Sequence, residues 1–210
     1  MARSRFTHVL TAGMTACALA TVFTGGARAA TPARPAAAQS RTAAPVGATV
    51  FKMTISGVNR KVAQAHGFKV ATAPDGTQYA VPTAAAVNPD GTRYTAATIQ
   101  PDDFYEGDCG DSYIWIHDVG AHVSEIETGF DLDSDAVSYY WKVNRSDPYG
   151  STSHSWAGGL ALDTTWEGEW DIHDGGPGWE IAGVVPSSDA LLWDGDICNS
   201  GGPTDEEYIN

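Results

Sequence analysis

Residues 136–144 read AVSYYWKVN, and this stretch decides the class of fold. Val137, Tyr139, Trp141 and Val143 fall on one side of a pleated chain, and Ser138, Tyr140, Lys142 and Asn144 on the other. A period of two, with large apolar groups on one face only, is the signature of a half-buried β-strand. Residues 165–172, TWEGEWDI, repeat the pattern: Trp166, Trp170 and Ile172 alternate with Glu167, Glu169 and Asp171. Short runs at 112–118, 122–130, 153–163, 177–185 and 188–194 have similar texture, separated by Gly, Pro, Asp and Ser. No stretch of this region keeps a helical period. About seven short strands predict an all-β fold, an antiparallel β-sandwich of immunoglobulin-like size, with an open barrel as the alternative. Each buried aromatic ring removes roughly 150–250 Å² from water, worth about 4–6 kcal/mol before entropy. A core of Trp141, Trp166 and Trp170 therefore does not depend wholly on a cross-link.

Two cysteines bracket these strands, Cys109 before the first and Cys198 after the last. The third, Cys17, lies in a segment with its own meaning. Arg3 and Arg5 precede an apolar run at 9–23, followed by Ala27-Arg28-Ala29. That layout predicts a secretory signal peptide over 1–29 and an extracellular protein. The run is too short to span a bilayer, so no membrane association is expected after cleavage. In an oxidising compartment Cys109 and Cys198 are expected to form a disulfide. Closing so long a loop favours the folded state by about 4–5 kcal/mol in the chain-entropy picture.

Charge divides the rest. All seven tryptophans and 24 of the 26 carboxylates follow residue 100, whereas residues 30–100 hold seven basic and two acidic groups. Residues 30–47 (ATPARPAAAQSRTAAPVG) lack the apolar content to order themselves and read as a disordered leader. Residues 48–100 read as a small basic appendage. Val58, Val62 and Ala65 before Gly67 predict a short helix, and 68–71 with 78–81 around Pro74-Asp75-Gly76 predict a hairpin. Residues 101–210 form the acidic, Trp-rich domain. Such acidity argues against nucleic acid and anionic membranes as partners.

Strand 112–118 offers the most specific chemical hint. Ile114 and Ile116 take one face, which leaves Tyr113, Trp115 and His117 on the other, roughly 6–7 Å apart. If the isoleucines point inward, three rings line up as a sugar-stacking platform; the alternative puts the rings in the core. Glu167 and Glu169 share a face, the arrangement of paired carboxylates that glycoside hydrolysis needs. Asp131-Leu132-Asp133-Ser134-Asp135 opens like a calcium loop, but Ala136 stands where the sharp-turn glycine belongs and Lys142 where a bidentate Glu belongs. That excludes an EF-hand and leaves Asp131, Asp133 and Asp135, or Asp194 with Asp196, as a looser calcium site. No cofactor is required otherwise. Gly110-Asp111-Ser112 lacks the context of a hydrolase nucleophile, and His117, His154 and His173 have no compact zinc spacing. Asn144-Arg145-Ser146 is a glycosylation sequon. The expectation is a non-catalytic protein that binds an extracellular polysaccharide through exposed aromatics. The alternatives are a hydrolase using acidic residues and an inhibitor-like protein whose basic 48–100 segment covers an acidic surface.

Overall fold

The computed structural model describes residues 44–95, 108–173 and 175–210. The expected signal peptide and residues 30–43 of the expected leader lie outside the described residues. Among the described residues, ten strands and one short helix follow in order: β1 (Thr49–Val58), α1 (Arg60–Ala65), β2 (Phe68–Thr72), β3 (Gln78–Pro82), β4 (Asp108–Gly120), β5 (Val123–Asp147), β6 (Gly150–Ile172), β7 (Gly178–Val184), β8 (Asp189–Leu192), β9 (Asp196–Asn199) and β10 (Thr204–Ile209). Every strand pair is antiparallel, so the all-β antiparallel class holds.

The ladders close on themselves. β5 pairs with β4, β4 with β1, β1 with β9, β9 with β8, and β8 returns to β5, a ring of five strands where the sequence suggests two stacked sheets. The closure depends on the length and bend of β5, which pairs with β4 through residues 123–132 and with β8 through 136–140. Sequence reading separates 122–130 from 136–144 at the Asp131–Asp135 cluster, but this cluster is a bulge inside one 25-residue strand. The register jumps there from Asp131↔Thr165 to Ala136↔Asp163, and again before Ser138↔Gly159. The second jump is taken up in β6, where Ala161 and Leu162 adopt left-handed backbone. Extra residues bend a strand and increase its twist. Here they also exchange the faces of β5, whose buried residues include Ser124, Ile126, Thr128 and Phe130 before the bulge, Leu132 and Ala136 at it, and Trp141, Val143 and Arg145 beyond the second jump.

Met53, Ile114, Ile116, Ile126, Phe130, Leu132, Trp141 and Val143 make the centre of the core, with Tyr139, Trp156, Trp166 and Trp170 packed around it. Trp141 is fully buried, and its polar end is satisfied: Nε1 donates to Thr128 Oγ1 at 2.9 Å, and that hydroxyl donates to the Tyr113 carbonyl at 2.8 Å. The Cys109–Cys198 disulfide joins β4 to β9, the two neighbours of β1 in the ring.

The compositional boundary at residue 100 is not a boundary of the hydrogen-bond network. β1 belongs to the basic segment, yet it lies in the ring between β4 and β9. The expected helix and hairpin form as α1 and β2–β3, the helix capped by Asn59 and stopped at Gly67, whose φ is +84°. Ala63, Phe68, Ala80 and Ala86 make a small core of their own. It is tied to the β8–β9 turn by His66, which stacks on Trp193 at 3.6 Å, and by the Ala80 N–H, which donates to Asp196 Oδ1 at 2.6 Å.

Candidate functional site

β4, β5 and β6 run side by side, and their register sets three rows on the face turned away from the core. The rows are Tyr113–Gly129–Glu167, Trp115–Glu127–Glu169 and His117–Glu125–Asp171. The ring strand and the carboxylate strand, two separate features of the sequence, thus share one surface with Glu125 and Glu127 between them.

The rings do not line up as a flat exposed platform. Tyr113 keeps only 5% of its surface, while Trp115 and His117 are half-buried and stacked on each other at 4.2 Å. The cause is Gly129: with no side chain there, the Tyr113 ring lies across β5, and a Cβ at 129 would stand 2.9 Å from Tyr113 Cε1. Burial, then the charges of Glu167, Glu127 and Glu169, push the Tyr113 phenol well above its ordinary range. Burial also raises the Glu127 carboxyl, opposed by His117 and reinforced by Glu125, Glu167 and Glu169. His117 Nε2 lies 2.9 Å from Glu125 Oε1. Tyr113 Oη and His117 Nδ1 are buried with no hydrogen-bond partner among the described residues.

The other sequence-derived candidates fall as follows. Glu167 and Glu169 are exposed on open sheet; Glu167 edges a cavity of about 140 Å³ with Tyr113, Phe130, Thr165 and Trp166. That volume is below the roughly 300 Å³ at which ligand pockets begin. Asp131, Asp133 and Asp135 sit in the β5 bulge and do not converge as a metal-ligand set; among the described residues only His117, Glu125 and Glu127 do. At the β8–β9 turn Asp196 is buried, with half-buried Asp194 beside it. Ser112 is buried and donates to the Ser200 carbonyl, which rules out a role as nucleophile in this conformation.

A second surface is absent from the sequence reading. Beyond the bulge, β6, β5, β7 and β10 lie in that order with their own outward rows. Ser153, Asn144, Gly183 and Thr204 form one row, Ser151, Ser146, Ile181 and Glu206 the next, and Trp179 beside Tyr208 closes the end. The first two rows, Glu206 excepted, line an open groove of about 640 Å³. Trp179 is 60% exposed and Tyr208 45%, their rings edge to face at 5.6 Å. Beneath the groove, Arg145 binds Glu180 through Nε at 3.1 Å and pairs with Asp147, and Glu180 accepts from Ser124 Oγ at 2.9 Å. This buried network locks β5 to β7 and fixes the groove floor. The strand at 177–185 is legible in sequence, but its partner is not recognised, so Trp179 has no company there. Alternation in 204–209, with Thr204, Glu206 and Tyr208 on one side, is the signal that finds it.

No known protein family matches the chain, and neither does a curated protein or a solved structure.

Proposed function

We propose that this is a non-catalytic extracellular protein that binds polysaccharide on the outer face of β6, β5, β7 and β10. The observation that carries the reading is the exposed pair Trp179 and Tyr208, one row beyond an open groove lined by Ser, Thr and Asn with Ile181 and Gly183. Exposed rings offer flat apolar faces to the C–H faces of sugars, while their edges and polar tips stay wet. Hydroxyl and amide side chains, which both donate and accept, suit a ligand made of hydroxyl groups. Four strands about 4.8 Å apart give a surface roughly 14 Å across, enough for a short length of chain. A hydrolase at Glu167 and Glu169 is supported less well, because both side chains are exposed on the sheet face and the cavity beside Glu167 is only about 140 Å³. A detachable basic cover is also supported less well, since β1 is built into the ring.

The test is retention of the purified protein on insoluble glucans, chitin and cell-wall material, with Trp179→Ala and Tyr208→Ala beside it. The reading expects retention on at least one matrix and loss of most of it in either variant. Failure to bind any matrix, together with unchanged emission on adding soluble glycans, abandons it.

A further inference from the structure

We infer that His117, Glu125 and Glu127 form a binding site for a divalent metal ion of the Zn²⁺ class. One ligand atom from each residue lies within 4.8 Å of the other two. The set is assembled by rigid elements. His117 faces Glu125 directly across the β4–β5 ladder, and Glu127 follows two residues on along the same face. The stack on Trp115 orients the imidazole so that Nε2 points at the carboxylates. The 2.9 Å separation of His117 Nε2 and Glu125 Oε1 is already shorter than the roughly 3.3 Å edge of a tetrahedron with bonds of about 2.0 Å. An ion entering there parts His117 from Glu125 and draws in the Glu127 oxygen, which lies within 4.8 Å of both.

A second observation points to a missing partner on this surface. Tyr113 is almost wholly buried, its hydroxyl has no partner among the described residues, and it lies over Gly129, two residues from Glu127 on the same face. That hydroxyl lies in the row of Gly129 and Glu167, one row from Glu127. The three rows of this face contain no Lys or Arg, and His117 is the basic side chain beside Glu125 and Glu127.

The donor set selects the ion. One imidazole nitrogen with two carboxylate oxygens suits Zn²⁺ and its borderline neighbours, whereas Ca²⁺ and Mg²⁺ prefer oxygen alone. The affinity is expected to be moderate. His117 Nδ1 lacks the acceptor that orients ligating histidines, and losing such a partner costs about 10–100-fold.

The experiment is calorimetric titration of the chelator-stripped protein with ZnCl₂ and with CaCl₂, while tryptophan emission reports on Trp115 beside the site. The expected result is one Zn²⁺ per chain at micromolar affinity, altered emission, and no comparable binding of Ca²⁺. His117→Ala and Glu127→Gln should each weaken Zn²⁺ by about 10–100-fold. Glu169→Gln, a neighbour outside the set, should change it by less than about threefold, since only a screened charge is lost. Absence of Zn²⁺ binding overturns the inference, and so does equal affinity for Ca²⁺ or an equal loss in Glu169→Gln. If His117→Ala does not fold, the ¹⁵N shift of the His117 imidazole in the unaltered protein decides: a Zn²⁺-induced shift at Nε2 supports the site, and an unmoved resonance removes it.

Discussion

Replacing Asp196 by Asn tests the most unusual electrostatic feature of the fold. Asp196 is 1% exposed, it accepts the Ala80 N–H at 2.6 Å, and its own N–H donates to Asp194 Oδ1 at 3.0 Å. Burial, with the Asp194 charge beside it, pushes the Asp196 carboxyl up to about 8. In the unfolded chain an aspartate titrates near 3.9. Between these values the native state holds one more proton than the unfolded state. The stabilising contribution is therefore complete below pH 4 and is lost as pH rises toward 8. One proton gives a slope of about 1.4 kcal/mol per pH unit, or about 2–3 kcal/mol between pH 5 and 7. Asn keeps a carbonyl oxygen for the Ala80 N–H and cannot ionise. Asp196→Asn should therefore gain stability over the unaltered protein by about that amount on going from pH 5 to 7. Urea denaturation followed by tryptophan emission measures both proteins at each pH, and the difference cancels the carboxylates that do not touch Asp196, leaving Asp194 as the one coupled neighbour. Stability–pH curves that run parallel, or a variant that falls behind as pH rises, refute the reasoning.

Other perturbations test other parts of the structure. Cys109→Ser with Cys198→Ser should lower unfolding stability by about 4 kcal/mol, read from the urea midpoint, because the bond closes a loop with a sequence separation of 89. Arg145→Met leaves Glu180 buried without its cation and should cost about 3–5 kcal/mol in the same assay; Arg145→Met with Glu180→Leu should recover much of it. Gly195→Ala forces a side chain onto left-handed backbone at φ +97°, 2.7 Å from the Ala63 nitrogen. It should raise amide exchange in α1 and β2–β3 well before it unfolds the ring.

The sequence reveals what depends on periodicity. The alternations around Trp141 and Trp166 identify strands and core, and the flanking cysteines identify the cross-link. Connection is harder to read. The Asp131–Asp135 cluster has the composition of a turn, and only the ladders, supplied by distant β4, β6 and β8, make it a bulge in a continuous strand. β1 is hidden because charge groups it with the basic segment, whereas its partners are chosen by pairing with β4 and β9. The candidate sites show the same division. Alternation correctly puts Tyr113, Trp115 and His117 on the face opposite Ile114 and Ile116. It cannot see that Gly129, on another strand, lets Tyr113 lie down and be covered. Trp179 and Tyr208 lie 29 residues apart in sequence and meet only because β10 adds beside β7.

The proposed placing of glycan on the β6–β5–β7–β10 face is open to direct measurement. Oxidative footprinting of tryptophans, with and without the glycan that retains the protein, separates the two faces. Protection of Trp179 with Trp115 unchanged is the predicted result. Protection of Trp115 with Trp179 still fully reactive contradicts the account and returns the ligand to the ring strand.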